Sequence, residues 1–383
     1  MRIPVLLVST ATRWLGTARV PWALAKAGFD VALLTPRNSL AEKSRFVSKV
    51  DYLPDNATVS QWVTAFAAAV RATAPRVVLP CDDMAFRLLA KLAQSPPRDL
   101  EPALHLQLTS LIRDSLGDPA YYETAVDKTL LPPAAEALDV RVPPYSIVSE
   151  PAAADAFAAA RGYPVVLKRA HGFAGQGVAI CANRDDLSRA FAAFSQQNAL
   201  DLGDSSSTHH LMQSHVPGRV QYYLATAWNG DLLAGYASEK IVANPEPTGP
   251  PTVTRHFCSP RLREITATLA RGFGISGHFF VEFIVADRSG EPHVLEINRR
   301  ITPGSHRGRA RNVDQWAALH ARLEGTDSTS RTDLDEGEEG IAVWFPEEWL
   351  RDPRSRYLRD YPVDVPWDDP ELIKALLAMR REQ

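Results

Sequence analysis

The sequence predicts an α/β N-terminal domain with a parallel sheet, followed by a longer α+β region built on antiparallel hairpins. Three observations predict this. Residues 3–8 (IPVLLV), 31–34 (VALL) and 76–80 (RVVLP) are short apolar runs separated by helical segments, the alternation of a parallel sheet. Beyond residue 200, strand-like runs come in pairs around turn residues. Asn229-Gly230 lies between 220–228 and 231–238, and residues 287–291 lie between 279–286 and 292–298. Between the two regions, 94–102 (QSPPRDLEP) has the prolines and charges of a boundary.

Taken in order, the first strand leads through a loop to a helix from about Thr17, with Pro21 in its first turn and Gly28 as its stop. After the 31–34 strand, residues 61–73 read as a helix. The 76–80 strand then runs into Cys81-Asp82-Asp83 and a helix to about Ala93. This is a small Rossmann-like domain. Its first βα turn, from Ser9 to Gly16, lacks GxGxxG, so no dinucleotide site is expected there. Asp82 and Asp83 stand where open sheets meet ligands, or where a helix needs a cap.

Past the boundary, helical material leads to Asp127-Lys128 and two proline pairs, then a helix over 151–160 and a strand over 163–168. A glycine loop (171–177) and a strand (178–181) follow. Residues 203–210, which include His209 and His210, read as a surface loop. Residues 261–273 read as a helix, 299–311 as a loop and 326–339 as an acidic exposed stretch. The tail has a strand-like start at 341, a terminal helix from about Pro370, and Trp344, Trp349 and Trp367. These tryptophans suit packing, with a wall for an apolar substrate as the other use.

Bulk properties exclude several classes. The net charge of −3 gives no basic field for nucleic acid or anionic lipid. Three scattered cysteines make neither a zinc site nor a disulfide framework, which suits a reducing cytosol. Residues 3–8 read as a strand rather than a signal peptide, and no apolar run approaches the ~20 residues of a membrane span. A cytoplasmic protein of two or three domains is the expectation.

The hairpin 279–298 carries the strongest chemical signal. A five-residue connection pairing Ala286 with Pro292 sets Glu282 opposite Glu296, with Asn298 on the same face. Val281, Phe283, Val285, Leu295 and Ile297 fall on the other, apolar face. Two facing carboxylates at ~5 Å and an effective dielectric of ~20 repel by about 3 kcal/mol. A magnesium ion between them removes that cost, with the Asn298 carbonyl as a third hard oxygen ligand. A solvated hairpin face with a chance pair explains the same residues equally well when the hairpin is taken alone.

Upstream, Lys168 ends its strand, and Gly172, Gly175 and Gly177 follow. Such glycines let backbone N–H groups approach phosphate oxygens, and the lysine adds a point charge. A hairpin loop beside a surface lysine is the competing account, and the loop is not a Walker A motif.

Order and spacing decide between these accounts. Asp127-Lys128, Pro164 to Lys168 with the glycines, Gln213-Ser214-His215-Val216-Pro217-Gly218, Lys240, and Glu282…Glu296-Ile297-Asn298-Arg299-Arg300 follow one another. This succession resembles the ATP-grasp superfamily over nearly the whole chain. The resemblance implies a Rossmann-like domain over 1–110 and an ATP-grasp domain over 111–330, in which two α+β subdomains (about 125–215 and about 216–330) sandwich the nucleotide. A C-terminal extension over 331–383 packs on that core. It implies ATP and magnesium (two ions, or manganese in their place) as cofactors. Lys128 and Lys168 then contact the phosphates and the adenine edge, and Gly172, Gly175 and Gly177 belong to the closing loop. Gln213, Ser214, His215 and Val216 form the adenine hinge. Glu282, Glu296 and Asn298 are metal ligands. Lys240 stands near the γ-phosphate, and Arg300 stabilises the transferred phosphoryl group. The family's acidic ribose contact is missing. Its place is held by Val220, with Gln221 beside it as a neutral substitute.

The activity implied is an ATP-dependent carboxylate–amine ligase that forms an acyl phosphate and releases ADP and phosphate. Its partners are small molecules, and such enzymes are often homodimers. Charge neutralisation and positioning do the work, which fits the lack of a nucleophile motif. Five arginines within 299–311 suggest an anion loop, with Arg300, Ser305 and His306 nearest the substrate carboxylate, although a basic loop paired with 333–339 accounts for Arg309 and Arg311. Arg255 is a further candidate contact, or an edge-strand surface residue. A different acyl-phosphate or phosphotransfer enzyme with a non-amine acceptor, and a non-catalytic ATP-binding regulator, are the alternatives. The loop after Arg300 lacks the Gln-Val-Glu-His run expected of a biotin carboxylase.

Overall fold

The computed structural model describes residues 2–95, 101–172, 177–200, 209–246 and 249–379. Gly175 and most of the 203–210 segment lie outside them.

The N-terminal layer contains β1 (Ile3–Val8), α1 (Leu15–Lys26), β2 (Phe29–Pro36), β3 (Lys49–Leu53), α2 (Val59–Thr73), β4 (Val77–Pro80), α3 (Asp83–Gln94) and α4 (Pro102–Leu116). Its sheet is parallel throughout, in the order β3-β2-β1-β4. The strands are continuous apolar runs because both faces are covered. Leu6 and Val8 pack toward α2, α3 and α4, while Val5 and Leu7 pack toward α1. Strand β3 (KVDYL) escapes a hydrophobicity reading because it is a short, half-polar edge strand. Helix α1 starts at Leu15, two residues before the expected Thr17. Pro21 therefore sits in the helix interior rather than its first turn, where it forgoes a backbone hydrogen bond. Asp82 caps α3 by accepting from Ala85 N at 2.9 Å, and it also gathers Ser9, Thr10 and Ala11 of the first βα turn.

A second, antiparallel sheet follows. After α5 (Leu131–Glu136) come β5 (Tyr145–Val148), α6 (Pro151–Arg161), β6 (Val165–Arg169), β7 (Val178–Cys181), α7 (Arg184–Leu200) and β8 (His210–Ser214). The strand order is β5-β8-β6-β7. Val165 and Leu167 join Val148, Phe157 and Met212 in a core under α6 and α7. Val166 and Lys168, alternating with them, face the other way. His210 is no loop residue. It opens β8, buried with its ring 4.8 Å from that of Phe191.

The largest sheet contains β9 (Gly218–Trp228), β10 (Asp231–Ala243), β11 (Pro251–Phe257), β12 (Gly277–Ala286) and β13 (Pro292–Asn298), with α8 (Pro260–Gly272) between β11 and β12. It is completed after α9 (Gln315–Glu324) by β14 (Glu339–Val343), in the antiparallel order β13-β12-β9-β10-β11-β14. Asn229 and Gly230 turn β9 into β10 with φ of 50° and 82°, the pair of positive values a two-residue turn requires. One face, with Tyr223, Ala225, Phe279, Val281, Phe283 and Ile297, packs on α8. The other looks toward the second sheet across a cleft.

Three short helices, α10 (Glu347–Arg351), α11 (Arg356–Asp360) and α12 (Pro370–Ala378), end the described chain. Leu372 and Leu376 of α12 pack on Leu15, Ala18 and Leu40, and Trp316 and Leu319 of α9 close the α1 face of the first sheet. The N-terminal layer is thus clamped from two sides by later segments. Trp367 is exposed, so neither packing nor a pocket wall describes it. No helix among the described residues is long and apolar enough to cross a membrane.

Candidate active site

The two antiparallel sheets enclose a cleft of about 450 Å³. The pairings across the large sheet line up one row of side chains facing it: Glu296 opposite Glu282, Glu282 opposite Tyr222, Tyr222 opposite Ser238, and Ser238 opposite His256. The expected Glu282–Glu296 pairing is present, but it is reached differently. Pro292 pairs with Val285, not Ala286, and Phe283 pairs with Val294. A bulge at Leu295 restores the register before Glu296. Leu295 therefore lines the cleft instead of the core face expected of it.

The electrostatics of this end are dominated by five charges. Burial pushes the Glu282 carboxyl above its usual range and the facing Glu296 adds to this, while Lys240, Lys168 and Lys128 pull it down. Lys168 is buried at the end of its strand face. Burial lowers its ammonium pKa, against the pull of Glu296 and Glu282. The Nζ of Lys128 donates to the Gly172 carbonyl at 2.6 Å and lies 3.5 Å from Glu296 Oε1. Lys240 donates to the Gly249 carbonyl at 3.0 Å. Two carboxylates and the Asn298 amide oxygen on one face are a hard-oxygen donor set, and a divalent cation there would offset the repulsion that raises Glu282.

Gln213, Ser214, His215 and Val216 all line the cleft where β8 passes into β9, together with Val166, Val178 and Ile180 of the second sheet. That is an apolar slot edged by backbone groups. Gly172 lines the cleft, whereas Gly177 sits behind it, its carbonyl accepting from Arg169 N at 2.8 Å.

Arg300 closes the opposite end. Its Nε donates to Asp83 Oδ1 at 2.8 Å, and its guanidinium lies 5.1 Å from the Trp14 ring centre and 5.9 Å from that of Phe280. Of the two aspartates after β4, Asp82 is therefore the cap and Asp83 the partner of a cleft residue.

Four expected contacts are not in the cleft. Arg255 lies on the opposite face of β11 from His256 and Thr254, where it donates to Glu239 at 3.0 Å and Glu339 at 3.3 Å. Gln221 falls on that same reverse face by strand alternation and donates to Glu239 at 2.8 Å, so it cannot serve a ribose. Ser305 is turned inward, 2.8 Å from His278 Nε2, and its Oγ accepts from Thr302 N. His306 lies 2.8 Å from Asp364, which Arg19 and Arg307 also hold. Thr302, Pro303 and Gly304 line the cleft in place of Ser305 and His306. Arg309 pairs with Asp314, and Arg311 donates to the Glu339 carbonyl.

Several lining residues carried no sequence signal, notably Trp14, Tyr222, Tyr236, Thr254, His256 and Phe280. Alternation along each strand would have found most of them once the strand order was known. Trp14 comes from the N-terminal layer, in the turn that leads into α1, brought close because Gly16 lets α1 approach the Thr302 backbone. A Cβ at Gly16 would lie 2.6 Å from the Thr302 carbonyl carbon.

Comparison with known proteins bears on the fold. Residues 127–207 match the model of the carbamoyl-phosphate synthase L chain, ATP binding domain. The biotin carboxylase domain of Hydrogenobacter thermophilus 2-oxoglutarate carboxylase, solved as a dimer with MgADP, ADP and bicarbonate, is similar at a TM-score of 0.66. Its identity is 17%, covering 89% of this chain and 74% of that one. Campylobacter jejuni biotin carboxylase, in a β-γ-ATP complex, gives a TM-score of 0.65 at 16% identity, covering 88% and 74%. Staphylococcus aureus N5-carboxyaminoimidazole synthetase with ADP gives 0.62 at 13%, covering 89% and 82%. At these identities the likeness establishes the fold.

Proposed function

From the premise that this chain has the ATP-grasp fold, we propose that it is a magnesium- and ATP-dependent enzyme that phosphorylates a carboxylate and passes the resulting acyl group to an acceptor. The observation that carries this is the gathering of Glu282, Glu296, Asn298, Lys128, Lys168, Lys240 and Arg300 around one cleft. A site for a nucleoside alone needs no such density of charge at one end.

Adenine enters the slot between Val166, Ile180 and the 213–216 segment, and the phosphates run toward Lys128 and Lys168. Magnesium bound by Glu282, Glu296 and Asn298 would neutralise phosphate charge and orient the γ-phosphoryl group. Lys168, held in a poorly solvated position, offers its charge to the phosphates without competing water. Arg300, locked by Asp83 and between two aromatic rings, faces the incoming carboxylate. A carboxylate oxygen attacks the γ-phosphorus, the bond to the bridging oxygen breaks, and ADP leaves with that electron pair. The acceptor nucleophile then attacks the acyl carbon and phosphate departs.

The solved relatives are carboxylases and carboxyaminoimidazole synthetases. They support the acyl-phosphate reading with its acceptor left general, more than the narrower carboxylate–amine ligase expected from the sequence. The missing Gln-Val-Glu-His run keeps the likeness to the shared chemistry and does not extend it to biotin. Amide formation stays as the second reading. ADP release from Mg-ATP, measured across pools of carboxylates with hydroxylamine as a trap, tests both. Hydroxamate formation dependent on a carboxylate supports the acyl phosphate. Product that also requires an amine supports the amide reading. ADP release independent of any carboxylate overturns both.

A further inference from the structure

We propose that the end of the cleft beyond Lys240 and Arg300 is a compartment for the body of the substrate: a flat, largely apolar group bearing a neutral hydroxyl or amide at the end remote from its carboxylate. The proposal rests on the acyl-phosphate reading for the position of that carboxylate.

The compartment lies apart from the nucleotide. Neighbouring strands are ~4.8 Å apart, so His256, four strands from Glu296 in the same row, is roughly 19 Å away across the sheet. The hinge and the metal pair account for the two ends of ATP, and neither reaches β11. The walls here are Leu224, Tyr236, Phe280 and Trp344, with Gly304 beneath. A Cβ at Gly304 would lie 2.9 Å from Leu224 Cδ2 and 3.7 Å from the Trp344 ring, so the absent side chain keeps this space open. Bicarbonate or acetate would leave it unused.

Polar groups at the far wall define the other requirement. Thr254, His256 and Trp344 are 2%, 3% and 4% exposed and line the cleft. Thr254 Oγ1, both ring nitrogens of His256 and Trp344 Nε1 have no hydrogen-bond partner among the described residues. Buried polar atoms are nearly always paired, and four unpaired ones on three residues that line one cavity wall call for a ligand partner. The cations nearest this wall are already engaged: Lys240, cross-strand from Thr254, donates to the Gly249 carbonyl, Arg307 pairs with Asp364 and Arg311 donates to the Glu339 carbonyl. Burial pushes the His256 imidazole down to about 3, and Arg307 and Arg311 reinforce this against Asp364. The imidazole is therefore neutral, with one donor and one acceptor. A cationic group here would meet Lys240, Arg307 and Arg311, and an anionic one would find these three already committed to other partners. A hydroxyl or amide both donates and accepts, and satisfies the wall.

The test uses the full chain, calorimetry and four probes: bicarbonate, acetate, 3-phenylpropanoate and 3-(4-hydroxyphenyl)propanoate, each with and without MgADP. The expected order is hydroxyphenyl acid tightest, phenyl acid about tenfold weaker, and the two small anions weaker again. His256→Phe should erase the hydroxyl preference, keep the ring preference and bind MgADP within about twofold of wild type. Should that variant fail to fold, Gly304→Ala provides the check by weakening both ring acids while sparing the small anions. Equal affinities for all four probes, or a hydroxyl preference that survives His256→Phe, overturns the compartment. MgADP binding without the ring preference leaves the nucleotide reading standing and removes this one. The ring preference without MgADP binding does the reverse.

Discussion

Glu282 and Glu296 face each other across β12 and β13 because Leu295 bulges out of the ladder one residue before the pair. Without the bulge, Pro292 opposite Val285 would place Glu282 against Leu295, and the second carboxylate would turn toward the α8 core. The carboxylate pair is therefore a feature of one local irregularity, and its use is open to direct test.

Glu296→Ala is expected to lower ADP release at least about a hundredfold, because the proposed function makes Glu296 a ligand of the magnesium that assists phosphoryl transfer. The thermal midpoint should stay within about 3 °C, since Glu296 is partly exposed and its loss also relieves Glu282. Unchanged turnover would remove the metal assignment.

Lys168→Met keeps the buried stem and deletes the charge. Turnover should fall by roughly 10²–10³-fold, the usual loss for one preorganised electrostatic contact in a water-poor site. Steady-state kinetics decide the matter. An effect confined to KM would show that Lys168 binds the ground state only.

Arg255→Gln should leave kcat within about twofold and cost roughly 1 kcal/mol in urea unfolding, because Arg255 serves Glu239 and Glu339 on the far face of the sheet. A large drop in kcat with stability unchanged would return Arg255 to the site.

Glu347 gives a pH dependence. Burial is the main cause that pushes its carboxyl up to about 7, Asp364 adds to this, and the Oε2 atom is buried without a partner among the described residues. The folded state thus holds a proton that the unfolded state gives up at ordinary carboxylate pKa. This contribution is complete below about pH 4.5 and is lost as pH rises to about 7, a loss of roughly 2 kcal/mol after solvent screening. Urea unfolding at pH 5.5, 7 and 8.5 should show Glu347→Gln with a flatter profile than wild type and a relative gain at pH 8.5. Parallel profiles would rule the group out as the source.

Much of the site was legible in the chain. Lysine, glycine, glutamate and asparagine at characteristic intervals carry their chemistry in their identity, while the face that Lys168 takes, away from the core of Val165 and Leu167, came from the sheet packing. The contacts that failed did so for one reason. Arg255, Gln221, Ser305 and His306 have suitable side chains at plausible positions, but which face a residue presents depends on pairing partners far along the sequence. Glu239 claims the first two, His278 the third and Asp364 the fourth.

By itself, the sequence determined the alternating strand and helix runs of the first layer, the Asn229-Gly230 turn, and the identity of the charged residues that gather at one end of the cleft. These rest on local periodicity, turn chemistry and residue type, which the chain carries without reference to distant contacts. Tertiary structure alone decided that β14 from the tail completes the large sheet, that Trp14 from the first layer meets Arg300, and that Thr254, His256 and Trp344 share one wall. Each of these joins segments tens to hundreds of residues apart. Only the packing of both sheets and the N-terminal layer around one cleft brings them together.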